Sequence, residues 1–126
     1  MASKPMRIPG PEHPITIKKN PARVVVKVAR RTLADSTNAL SMEEGNYPAV
    51  QYIPRKDSEM SLLVRTDHTT YCPYKGDCSY FSIPGAGERG RNAVWRYEAP
   101  HGPVAAIKEH LAFYPDRVDS IEVVPR

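Results

Sequence analysis

Thirteen of the 126 residues are proline, about twice the roughly 5% of average usage. Proline removes a backbone donor and locks φ, so a chain punctuated from Pro5 to Pro125 cannot carry long helices. The apolar residues between the prolines are Val and Tyr more often than Leu, a balance that suits pleated backbone. The chain therefore reads as β-rich. A body of this length hides about two-thirds of its unfolded surface and supports one core.

Alternation locates the strands. Ile15–Ile17 and Arg23–Val28 are extended, with Val24, Val26 and Val28 on one face. Arg30-Arg31 makes a tight connection into Thr32–Ser36, and Ala39–Met42 is a further extended piece before the Gly45-Asn46 turn. Ala49–Ile53 is closed by Pro54. Thr69–Cys72 and Ser79–Ile83 form a hairpin around Pro73–Asp77. Asn92–Glu98, Ala112–Tyr114 and Ser120–Val124 complete about eight strands. Short helical turns are predicted at Pro54–Leu63 and Pro103–His110, a mobile loop at Pro84–Gly90, and a type I turn at Pro115-Asp116. The predicted fold is mainly β: one small domain, an antiparallel sheet curled into a barrel-, sandwich- or tent-like body with one or two short helices.

Net charge is +4, but four of the 18 Lys/Arg and one of the 14 Asp/Glu lie in Met1–Asn20. Residues 1–20 thus read as an extended, basic, Pro-rich tail and 21–126 as the domain, which keeps 14 basic and 13 acidic groups. That balance argues against a nucleic-acid partner, which would call for a basic footprint on the domain itself. No apolar run is long enough to cross a bilayer and no secretory leader is read at the N-terminus, so the expectation is a cytoplasmic protein without a membrane partner.

The densest chemistry lies in Arg65–Tyr80, which holds both cysteines, a histidine, a lysine and several hydroxyls. Zinc is not expected, because His68, Cys72 and Cys78 offer one Cys-x5-Cys and no second pair. A cross-hairpin disulfide would depend on register, and cysteine is otherwise a small buried hydrophobe. No nucleophile elbow is present, and Asp67 and His68, as strand neighbours, point to opposite faces. A ligand pocket fits the composition better. Tyr52, Thr70, Tyr74 and Trp95 would supply walls and hydroxyls, and Arg55 and Lys75 charge for an anionic or polar metabolite. At the hairpin turn Tyr74 and Lys75 are expected to be exposed, while Trp95 and Phe113 fit a core. No cofactor is called for.

Several stretches are familiar: Ala34–Ser36, Tyr47-Pro48 through Tyr52–Asp57, Thr66–Asp77, Ala93–Tyr97 and Ala112–Asp119. Through them the chain resembles the bacterial and fungal family catalogued as domain of unknown function 427, sometimes labelled nucleotidyltransferase-like. The resemblance implies a compact, curled, tent-like β fold. The label would imply a Gly-Ser pair followed by spaced magnesium-holding carboxylates, and this chain lacks that pattern. The family more often carries alanine at position 78, which leaves Cys72 as the cysteine to consider. The leading expectation is a pocket lined by Tyr52, Arg55, Thr70, Cys72, Tyr74, Lys75 and Trp95. The alternatives are an enzyme with Cys72 as nucleophile and His68 or Lys75 as activator, and an interaction module whose exposed tyrosines form a homodimer face.

Overall fold

The alternating valines, aromatics and threonines become strands, and the prolines become their ends. The computed structural model describes residues 4–125, so the first three residues of the predicted tail lie outside it. Ten strands run in chain order: β1 (Ile15–Lys19), β2 (Arg23–Val28), β3 (Arg31–Ser36), β4 (Leu40–Glu44), β5 (Val50–Pro54), β6 (Val64–Cys72), β7 (Gly76–Ser82), β8 (Val94–Tyr97), β9 (His110–Phe113) and β10 (Ser120–Val124). All ladders are antiparallel. Seven strands form one sheet in the order β1-β4-β5-β9-β8-β7-β6, and β10-β2-β3 form a second. The large sheet ends in two free edges, β1 and β6, so it does not close into a barrel.

Helical structure among the described residues is confined to short 3-10 segments, as proline-dense connections dictate. Two of them, Arg55–Asp57 and Met60–Leu62, occupy the turn predicted at Pro54–Leu63, and Gly102–Ile107 overlaps the one predicted at Pro103–His110, whose last residue instead opens β9. The stretch read as a mobile loop, Pro84–Gly90, is instead a pair of 3-10 turns. It is stapled by Ile83 N–H donating to the Gly90 carbonyl at 2.8 Å. A Cβ on Gly90 would lie 2.3 Å from the Ile83 oxygen, so the close approach requires glycine.

The segment read as a tail is built onto the body. Its last residues are β1, paired with β4 from Ile15↔Glu44 to Lys19↔Leu40. Further upstream, Arg7 N–H donates to the Pro73 carbonyl, Tyr71 Oη to the Pro5 carbonyl, and Lys4 pairs with Asp77.

Period-2 alternation divides the large sheet into two faces. Ile53, Phe81, Val94, Leu111 and Phe113 point toward the small sheet and pack on Val24, Val26, Leu33 and Ala34. Their immediate neighbours Tyr52, Tyr80, Trp95 and Ala112 point the other way, into a second cluster with Met42, Cys78 and Tyr97. Phe113 is core as expected, whereas Trp95 is only half-buried.

Candidate functional site

The second face is concave and incompletely filled. Met42 and Glu44 come from β4, Val50 and Tyr52 from β5, Cys78 and Tyr80 from β7, and Trp95 and Tyr97 from β8. Each pair is two residues apart and so on one side of its strand. Together with Tyr47, Lys75 and Tyr114 they surround a hollow of about 580 Å³. Register explains the room beside the indole: Trp95 pairs with Ala112, a side chain too small to cover it.

The wall is tied by its own polar atoms. Trp95 Nε1 donates to Tyr52 Oη at 3.2 Å, with the two rings edge-on. Tyr114 lies 4.5 Å from Trp95, centroid to centroid. Thr70 Oγ1 and Tyr80 Oη share a hydrogen bond of 2.9 Å. Burial pushes the phenols of Tyr52, Tyr80 and Tyr97 and the Cys78 thiol up, so all four are neutral near neutral pH.

Charge enters at one place. Lys75, at the β6–β7 turn, reaches across to β4, and its Nζ donates to Glu44 Oε1 at 2.5 Å. The side chains are only 12% and 18% exposed. The other carboxylate oxygen accepts from His13 Nε2 at 2.7 Å, and the His13 ring stacks on Tyr74 at 4.0 Å, nearly parallel. Burial alone would raise the Glu44 carboxyl, but the hydrogen bonds from Lys75 and His13 outweigh it and hold the group below the usual carboxylate range.

Of the residues singled out in sequence, Tyr52, Lys75 and Trp95 line this hollow. Lys75 is not exposed as its turn position predicts, because Glu44 draws it inward. Thr70 braces the wall through Tyr80, and Cys72 packs against the same aromatic cluster without lining the hollow. The others stand apart. Tyr74 faces a shallow concavity with Ile8, Pro11 and His13. Arg55 is exposed in the turn after β5. His68 is exposed, lies against the Tyr80 ring at 4.5 Å and lines a different concavity with Thr66, Asp67 and Asn92. In the hairpin Cys78 opposes Thr70 while Cys72 opposes Gly76, and both thiols are free. No group of three or more His, Cys, Asp or Glu among the described residues could hold a metal ion.

Sequence reasoning missed Glu44 and His13. The signal for Glu44 is the alternation Leu40-x-Met42-x-Glu44, which puts the carboxylate on the apolar side of its strand; nothing local marks His13. No helix among the described residues is long and apolar enough to cross a membrane. No curated protein matches the chain. A family model described as a domain of unknown function (DUF427) matches residues 16–124, and the chain belongs to that family.

Proposed function

We propose that this DUF427 domain binds a small polar or anionic metabolite in the aromatic hollow of its large sheet. The observation that carries the reading is the Lys75–Glu44 pair at the margin of an otherwise apolar, tyrosine-lined hollow of about 580 Å³. Ligand sites combine such walls with a few polar handles and span about 300–1,000 Å³. The neutral phenols offer hydrogen bonds without charge, so a charged head group is met at the ion pair. An acidic head competes with Glu44 for Lys75 Nζ, and a hydroxyl or amide head bridges the two.

The geometry favours binding over thiol catalysis. Cys72 packs against the aromatic cluster without lining the hollow, Lys75 is engaged by Glu44, and His68 lines another concavity. A nucleophile without an adjacent base lacks the activation that covalent catalysis requires.

A thermal-shift screen against nucleotides, sugar phosphates and organic acids tests the reading. A ligand at a hundredfold excess over its Kd adds about 2.7 kcal/mol of stability, several degrees in a domain of this size. Lys75→Ala should then lower affinity tenfold or more, the loss of one charge-assisted hydrogen bond. Glu44→Gln, which removes the competing charge at constant shape, should tighten an acidic ligand. Full affinity in a natively folded Lys75→Ala protein would overturn the assignment.

A further inference from the structure

The large sheet is split near its middle. β5 extends from Val50 to Pro54, yet its ladder with β9 consists of Ile53↔Leu111 and Pro54↔His110 and goes no further. On its other side β5 stays paired to β4 as far as Met42↔Val50. On the far side of the split, β9 stays paired to β8 as far as Val94↔Phe113. The ladder is therefore left open between Val50–Tyr52 and the Phe113–Pro115 segment. Across the gap, the bond from Trp95 Nε1 to Tyr52 Oη fixes the indole at the margin of the opening.

A second hollow of about 530 Å³ lies on the other side of the split, between the two sheets. Its walls include Val26, Ile53, Phe113, Ile121 and Val123. Val123 is half exposed although apolar. Its polar lining residues are Gln51, Asp119 and Ser120; Gln51 is engaged by Asn20 and Ser41, and Asp119 by Ala29 N–H and by Arg89. Four residues, Ala49, Val50, Trp95 and Pro115, line both hollows. The aromatic hollow and the second one therefore meet across the slot in the sheet, with the ion pair in the first; the second is walled mainly by Val, Ile and Phe, with no Lys or Arg among the described residues that line it.

We propose that the ligand is elongated and amphipathic, of the class of straight-chain carboxylic acids. Its head meets Lys75, its chain passes Trp95 through the slot, and its tail lies in the second hollow. This rests on the binding reading above and extends it to a substrate class. A flexible chain follows the change of direction from one face of the sheet to the other, and aliphatic walls repay a tail for leaving water while offering a second polar group little.

The test is a chain-length series, from butyrate to tetradecanoate, titrated against the purified protein by Trp95 fluorescence and thermal shift, with the matching alcohols as head-group controls. Affinity should rise about fourfold per added methylene, then level off once the second hollow is full, and the acids should outbind the alcohols. Val123→Asp, at a half-exposed position of β10, should cancel the gain of the longer chains and leave the shortest acids unchanged. Ala49→Phe, which plugs the slot without adding a second indole, should likewise cancel the gain of the longer chains. Short acids that bind without any chain-length gain would overturn the elongated ligand and leave the aromatic site standing. A gain that never levels off and ignores both variants would mark surfactant-like association and also overturn it. Failure of this series together with a flat metabolite screen would remove both readings.

Discussion

The two faces of the seven-stranded sheet are made by the same strands, from residues one position apart, and they pack differently. On one face Ile53, Val94 and Leu111 are essentially inaccessible and close against the valines of the small sheet. On the other, Tyr52, Tyr80, Trp95 and Tyr97 ring a hollow. Aliphatic side chains interdigitate at crystal-like density because they have no polar atoms to satisfy. Aromatic side chains with hydroxyl or indole groups must keep a partner for each, as Trp95 and Tyr52 do for one another and Thr70 and Tyr80 do likewise. Those bonds hold the rings upright around a space instead of letting them collapse into it. The contrast separates a face that is closed from a face that leaves space.

The largest expected effect lies on the closed face. Leu111→Ala should cost about 2–5 kcal/mol by leaving a cavity that the sandwich cannot fill, measured by chemical denaturation. A cost well under 1 kcal/mol would mean that this face is not the core. Tyr52→Phe on the open face should cost only about 1 kcal/mol, one hydrogen bond with its packing kept. A loss as large as that of Leu111→Ala would erase the distinction between the faces.

A smaller effect concerns pH. Glu44 is held below its ordinary value of 4.5 in the folded chain, so the stability it contributes is complete above that value and is lost as pH falls through the lowered folded one. The wild type should therefore lose stability below about pH 4.5 more steeply than Glu44→Gln. Identical acid slopes in denaturation series would show that the Lys75–Glu44–His13 contacts do not persist in solution.

Much of this division is legible in the sequence. Val24-x-Val26-x-Val28 and the alternation around Trp95 and Tyr52 announce strands with two unlike sides, and Pro54 and Gly45 announce their ends. The start of β6 is not legible, because Val64–Thr70 forms a mostly exposed edge whose polar residues show no apolar period. The β2–β3 turn is legible in place but not in type: the connection read at Arg30-Arg31 falls one residue earlier, with Ala29 and Arg30 at positive φ where Asn-Gly would be the usual signal. At the site, the aromatic walls follow from period two, but the charged contacts do not. Lys75 and Glu44 are 31 positions apart, and His13 is 31 positions from Glu44 in the other direction. Their meeting depends on β1 pairing with β4 and on the β6–β7 turn folding back. The same holds for Arg96, which is buried over the Phe81 ring with Ser79, Glu98 and Glu109 as partners. Its strand position marks it for the closed face, yet only the assembled sheet supplies those partners.

The central claim is that the face carrying Trp95 is an open hollow and not a packed core. Trp95 is the sole tryptophan, so quenching of its fluorescence by acrylamide in the native protein reports on access to that one indole. The account predicts ready quenching of the folded protein that a bound ligand suppresses. A Trp95 that stays shielded until the protein unfolds would contradict it.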